Sequence, residues 1–316
     1  MFSMINRAPG RRLLQPARRR TQLLFLAVAT ALFASATLVA SAATTDGVAT
    51  GTTTGASART TTGATARTTT GAAAGVRPTI VLVHGGWADS SGWDAEITTL
   101  TELGYTVVPI ANPLRGLSSD SDYVRARLEQ ISGPIVLVGH SYGGAVITNA
   151  ARGMSNVRAL VYVAAFSLAE GESLATVLPA DRYTGSHLDV TKLDVVPVPN
   201  PAAPSGRDVD LYIKPAYFRD IFAGDVSPHE AMLEAATQRP FANTAFTEPS
   251  GAPAWSTIPS WDLISLDDHA ISPAGQMFMA ERMHAHITAV HSAHDIMISH
   301  PTAVDQIILR AVAATN

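Results

Sequence analysis

Three repeats of an apolar, β-branched run followed by a helix-like segment, a serine set between glycines at one of those junctions, and a long proline-rich interruption predict an α/β fold. The expected architecture is a mostly parallel sheet with helices on both faces and a cap inserted before the last strands. "TIVLVHG" (79–85) is a continuous apolar run of the kind a strand covered on both faces requires. "AEITTLTELG" has helical spacing and ends on Gly104, "YTVVPIAN" reads as the second strand, and "SDSDYVRARLEQI" reads as a helix opened by a serine or aspartate cap. "PIVLVGH" is the third strand, "YGGAVITNAARG" its helix and "VRALVYVAAF" the fourth strand.

Regularity lapses between Ser167 and Ile258, where "VVPVPNPAAPSG" reads as irregular chain and "SPHEAMLEAATQ" as a helix. So long a stretch exceeds what a loop inside a domain tolerates, and a cap over the sheet edge is expected across 167–258. The alternation resumes with "SWDLISLDDHAIS", "PAGQMFMAERM", "HITAVHSA" and "PTAVDQIILRAVAA", whose Pro301 suits a first helical turn.

The amino-terminal quarter has another character. "RRLLQPARRR", the apolar "LLFLAVATALFASATLVA" and the small residues Ala40-Ser41-Ala42 read as a secretory signal covering 1–42, cleaved near Ala42; an uncleaved membrane anchor is the competing reading. "TTTGASAR", "TTTGATAR" and "TTTGAAAG" then repeat with a period of eight over Thr52–Gly75. With almost no large side chain to offset the entropy of ordering, 43–76 is expected to be a flexible tether. A secreted or periplasmic protein with no stable membrane partner follows.

Charge and composition exclude several classes of function. Residues 77–316 carry 14 basic against 25 acidic side chains, with only two lysines, Lys192 and Lys214, so no basic stripe exists to neutralise phosphates and a nucleic-acid partner is excluded. The chain has no cysteine, which removes disulfides, thiol nucleophiles and thiolate metal sites together. His284 and His286 alternate as they would along a strand edge, but no H-E-x-x-H pattern accompanies them, and neither a metal nor a cofactor is expected.

The strand-to-helix junction in "PIVLVGHSYGGAVITNA" gives Ser141 its meaning. A turn that sharp crowds the positions two residues before and after the serine, so Gly139 and Gly143 let the backbone pass while the hydroxyl projects above the sheet. The helix amino terminus beneath it favours developing negative charge. An N-cap serine would need no chemistry; a nucleophile needs a base, and the base needs an acid. Both follow in order after later strands: Asp267 and Asp268 in "LISLDDHAISP", with Asp268 preferred, and His294 on the loop of "ITAVHSAHDIMISHP", where His291 falls in the strand and His300 opens the last helix. The glycines of "VHGGWADSSGW" permit inward-pointing amides, so the N–H groups of Gly86 and Tyr142 are assigned to an oxyanion hole. Trp87 and Phe166, with Trp93, Tyr142 and the aromatic residues of "YIKPAYF", are candidates for an apolar pocket.

"LVHGGW" with Trp93 after it, "GHSYGG", "DDHAISP" leading to "MAERM", and "SAHDIMISHP" together resemble the α/β-hydrolase superfamily, and within it the compact branch containing plant methylesterases and hydroxynitrile lyases. The likeness covers 77–316 and is weakest in the cap. It implies an α/β-hydrolase fold, the aspartate three residues before an isoleucine (Asp268 before Ile271) as the acid, and the histidine of the segment closing on Ser299-His300-Pro301 (His294) as the base. The lyases of this branch carry a lysine directly after the base and a threonine at the position of Gly85; Asp295 and Gly85 depart from that pattern, and a carboxylate beside the site would repel cyanide. The expected activity is hydrolysis of a small or medium carboxylic ester through an acyl-enzyme. A non-hydrolytic binding protein, or an acyltransferase or lyase using the same residues, are the rivals.

Overall fold

The computed structural model describes residues 76–201 and 205–315. The expected signal at 1–42, and the expected tether at 43–76 apart from Val76, lie outside the described residues. Among those residues no helix is long and apolar enough to cross a membrane.

Six parallel strands form one sheet in the order β2 (Val107–Ile110), β1 (Thr79–Val83), β3 (Ile135–His140), β4 (Val157–Val163), β8 (Ser260–Ser265) and β9 (His286–Val290). Period-two alternation sorts their side chains onto two faces. Val81, Val83, Leu137, Leu160 and Tyr162 pack in one apolar layer with residues of the helices Leu117–Leu128, Tyr142–Ala150 and Pro273–Arg282. Ile80, Leu82, Val136, Val138 and Val161 pack in the other with residues of the helices Asp94–Glu102 and Pro301–Ala313. The central strand β3 is buried along its whole length, which is why its sequence reads as an unbroken apolar run. Because all six strands run the same way, the segments after β1, β3, β8 and β9 emerge along one rim.

Between β4 and β8 the chain builds a three-stranded antiparallel sheet, β5 (Leu193–Pro199), β6 (Arg207–Ile213) and β7 (Phe241–Ala242), with the short helix Pro215–Ile221 and the helix Pro228–Thr237. The strand β5 corrects one expectation, since "VVPVP" reads as irregular from its prolines but forms a strand. Val195 pairs with Leu211 and Pro197 with Val209. The prolines are tolerated because β5 is an edge strand, largely exposed, whose missing N–H groups need no second partner. The insertion is fastened to the core at several points: the Trp87 indole donates to Leu211 O at 2.9 Å, Arg115 pairs with Asp210 at 2.6 Å, and Asn200 donates to Arg115 O at 2.8 Å.

Candidate active site

Ser141 follows β3 with φ 53° and ψ −123°, a left-handed conformation that a residue bearing Cβ rarely adopts. The surroundings hold it there. Its N–H donates to Val163 O at 3.2 Å, and its carbonyl accepts from Gly144 N at 3.0 Å and Phe166 N at 3.1 Å. Two glycines make the turn sterically possible: a Cβ on Gly139 would lie 2.6 Å from Gly143 O, and one on Gly143 would collide with Val83 O. Strain in the serine and absent side chains on either side are thus one device, which aims the hydroxyl at the rim.

His294 and Asp268 reach that hydroxyl from two other strand ends. His294 Nε2 stands 2.9 Å from Ser141 Oγ, and His294 Nδ1 stands 2.7 Å from Asp268 Oδ2, with all three side chains buried. A carboxylate can only accept, so the Nδ1 proton points to Asp268, and Nε2 is left free to accept from the serine. Asp268 is itself saturated: Oδ1 accepts from Ala270 N at 2.7 Å and Ile271 N at 2.8 Å, and Oδ2 accepts from Gln276 Nε2 at 2.7 Å. Asp267 turns the other way, exposed, with His291 Nδ1 3.3 Å from its carboxylate. His300 caps the last helix. The structure therefore gathers Ser141, Asp268 and His294, and leaves Asp267, His291 and His300 out of the cluster.

The turn after β1 lies against the serine, since a Cβ on Gly85 would come within 2.6 Å of Ser141 Cβ. Buried His84 fixes this turn, with Nδ1 3.0 Å from Gly85 O and Nε2 accepting from Asn112 N at 2.9 Å. One donated and one accepted bond define a neutral imidazole, and burial pushes its pKa down to about 4. Tyr142 opens the helix 142–150, so its N–H has no acceptor inside that helix. Its phenol donates to Asp120 Oδ2 at 2.8 Å. The Gly86 turn and the Tyr142 amide thus flank Ser141, as two oxyanion donors would have to.

Trp87, with φ 59° and little exposure, has its indole bonded to β6 and its ring edge-to-face with Phe241 at 5.2 Å. Phe166, also buried, uses its backbone to hold the Ser141 carbonyl. Phe166 thus frames the serine through its backbone, while Trp87 ties the turn after β1 to the insertion.

Sequence reasoning missed four residues here. Gln276 bridges Asp268 and, through Oε1, the Ser265 amide at 3.1 Å; its segment reads only as an apolar helix. His140, in the strand itself, has Nε2 3.1 Å from His294 O and its ring 4.8 Å from the His294 ring. Burial, with the His294 charge adding, keeps it well below the usual imidazole range, so it stays neutral and donates. His84 is the third. Phe222, at the end of the cap helix Pro215–Ile221, packs edge-on against the His294 ring at 4.8 Å. No local signal marks it, because the contact joins distant parts of the chain.

A parallel sheet with a strained serine after its central strand, hydrogen-bonded to a histidine that is in turn hydrogen-bonded to an aspartate, both from later strand ends, defines an α/β protein with a Ser-His-Asp cluster at its rim. The chain belongs to the alpha/beta hydrolase family, whose model matches residues 80–307. It is 26% identical over 257 residues to alpha/beta hydrolase nvfD of Aspergillus novofumigatus (strain IBT 16806), covering 75% of this chain and 97% of that one. It is 35% identical over 114 residues to a carbendazim hydrolyzing esterase of Nocardioides sp. (strain SG-4G), a match spanning 31% of this chain and 46% of that protein. Among solved structures, a pyrethroid hydrolase from Sphingobium faniae JZ-2 superposes with a TM-score of 0.62 at 22% identity, covering 75% of this chain and 98% of the other, a likeness of fold. Esterase-type proteins thus stand among the relatives of this hydrolase-family chain.

Proposed function

We propose that the protein is a secreted serine esterase that cleaves carboxylic esters of small or medium size by acyl transfer to water. The observation that carries this reading is the unbroken hydrogen-bonded run from Asp268 through His294 to Ser141, which ends on a serine held in a strained turn. His294 Nε2 takes the hydroxyl proton as Ser141 Oγ attacks the ester carbonyl. The amides of Gly86 and Tyr142 receive the oxyanion. His294 then gives its proton to the departing alcohol, and afterwards takes one from the water that releases the acid. Asp268 holds the ring and stabilises its cation throughout. No step in this cycle calls for a metal or cofactor, and the substrate is the one small-molecule partner it needs.

Two observations favour hydrolysis over cyanohydrin cleavage. A threonine at Gly85 would place its Cβ against Ser141, within 2.6 Å. The residue after the base is Asp295, buried, and burial, with Glu234 and Asp225 adding, pushes its carboxyl well above the ordinary range. The sequence argument from repulsion by a full carboxylate is therefore weakened, and what stands against a lyase is that no cation occupies this position to hold cyanide.

The similarity to a protein named as an esterase is in keeping with this chemistry. Hydrolysis of p-nitrophenyl esters of graded chain length by the wild-type protein, with loss of at least about three orders of magnitude in Ser141→Ala, is the expected result. Rapid labelling of Ser141 by a fluorophosphonate without ester turnover would instead assign a transferase or lyase. No labelling and no turnover would assign a binding protein. Mass spectrometry of the exported chain tests the leader, with a mature terminus near Ala43 expected.

A further inference from the structure

Among the described residues, one group of histidine and carboxylate side chains brings a donor atom from each of three residues within 4.8 Å of one another: His187, Asp220 and His269. His187 and Asp220 belong to the insertion, whereas His269 directly follows Asp268 on the loop after β8. His187 Nδ1 lies 2.9 Å from Asp220 Oδ2, and His269 Nδ1 lies 3.3 Å from Asp220 Oδ1 and 3.0 Å from Asp220 O. The two rings face each other with centroids 3.8 Å apart, and the His187 amide donates to His269 O at 2.7 Å. Both Nδ1 atoms therefore converge on one carboxylate from fixed backbones.

Bonds of about 2.0–2.2 Å in a tetrahedral zinc site set neighbouring donors about 3.3–3.5 Å apart. The separations of 2.9 Å to Asp220 Oδ2 and 3.3 Å to Asp220 Oδ1 involve the two oxygens of one carboxylate, and one donor atom from each of the three residues lies within 4.8 Å of the others, so a small rotation of the carboxylate and the rings brings them to that spacing. Asp220 and His269 also line an open cleft of about 540 Å³ beside Asp267 and His291, which gives an ion a path from solvent. Lys192 approaches the group, but donates to His187 O at 2.6 Å and leaves the three donor atoms to one another.

We propose that His187 Nδ1, Asp220 and His269 Nδ1 form a zinc-binding site, completed by water, that staples the inserted segment to the loop carrying Asp268. The ion takes the places of the two Nδ1 protons, which pass through solvent to the Nε2 atoms, so both imidazoles stay neutral and no net proton is released. The site holds no reacting group; its effect is on how firmly the cap is fastened over the serine. It differs from the His284 and His286 pair that the sequence singles out, because its members are brought together only by the fold.

Calorimetric titration of zinc chloride into the full chain, stripped beforehand with chelator, tests this. One site of micromolar or tighter affinity is expected, with Tm rising by roughly 5–10 °C at a hundredfold excess of zinc over Kd. His187→Gln and Asp220→Asn should each weaken binding at least about tenfold, while His291→Gln, a neighbour outside the site, should bind as the wild type does. Cobalt(II) in the wild-type protein should give the intense visible bands of a tetrahedral site, a reading that needs no variant to fold. Absence of saturable zinc binding, undiminished binding by His187→Gln, or an octahedral cobalt spectrum would each overturn the proposal.

Discussion

Gln276 Nε2 donates to Asp268 Oδ2 at 2.7 Å, and that same oxygen accepts from His294 Nδ1 at 2.7 Å. One amide thus fixes the oxygen that orients the imidazole, and its other end is tied to the Ser265 amide and so to β8. Removing a hydrogen bond to a charged group costs about 1.5–3 kcal/mol, which corresponds to a rate loss of roughly 10–100-fold when the group acts in the transition state. Gln276→Ala should therefore lower kcat by that factor with KM within about twofold of wild type, because Gln276 touches the acid and not the substrate. Gln276→Glu should be worse, since it sets a second carboxyl against Asp268. Steady-state kinetics on one ester separates the two parameters; a change in KM alone would refute the positioning role.

The parts of this arrangement that a reader of the sequence can recover are those fixed by local sterics or by chain order. Ser141 announces itself because Gly139 and Gly143 must be glycine for the turn to close, and the sheet strands because burial on both faces leaves apolar runs. Asp268 is distinguished from Asp267 by the family pattern, and the fold gives the reason: the backbone of residues 268–271 curls so that Ala270 and Ile271 amides meet one carboxylate and not the other. Gln276, His84, His140 and Phe222 are illegible for a common reason. Their roles depend on bonds or ring contacts made across the fold, and polar or aromatic residues in a strand or helix look the same whether or not such a partner exists. The strand over Val195–Pro199 hides behind its prolines, which forbid a central position but not an edge.

Gly85→Ala should be far more harmful than its size suggests. The added Cβ would stand 2.6 Å from Ser141 Cβ and 3.0 Å from His140 O, so either the serine or the oxyanion turn must move. A displacement of about 1 Å at reacting atoms costs on the order of 100-fold. The expected result is a kcat loss of that size, with Gly85→Thr at least as impaired and no cyanohydrin cleavage gained by either. Retention of wild-type kcat in Gly85→Ala would show that the turn is not held against the nucleophile.

Ser141→Gly and Ser141→Ala both abolish the hydroxyl, so comparing them isolates the Cβ. At φ 53° and ψ −123° that atom carries strain of about 1–3 kcal/mol, against a backbone entropy penalty for glycine of roughly 0.5–1 kcal/mol. Ser141→Gly should unfold at higher temperature or denaturant than Ser141→Ala by about 1 kcal/mol, although both are inactive. Equal stability, or the reverse order, would mean that the surrounding hydrogen bonds relax the turn when the hydroxyl is lost.

Glu96 sits on the helix Asp94–Glu102 with no exposed surface and no hydrogen-bond partner for either carboxyl oxygen. Burial pushes its pKa from 4.5 up to about 8, with the charges of Asp305 and Asp94 adding. Between those values the folded protein holds a proton that the unfolded chain has released. Stability from this group is accordingly greatest below about pH 4.5, declines as pH rises through the window and is lost above about pH 8. Glutamine keeps the shape and cannot ionise. Glu96→Gln should match the wild type within about 1–2 °C in Tm at pH 5 and exceed it by roughly 5 °C or more at pH 8.5, a gain of a few kcal/mol. Thermal melts across that range decide the matter: parallel Tm curves for the two proteins would show that Glu96 is ionised and solvated in the native state.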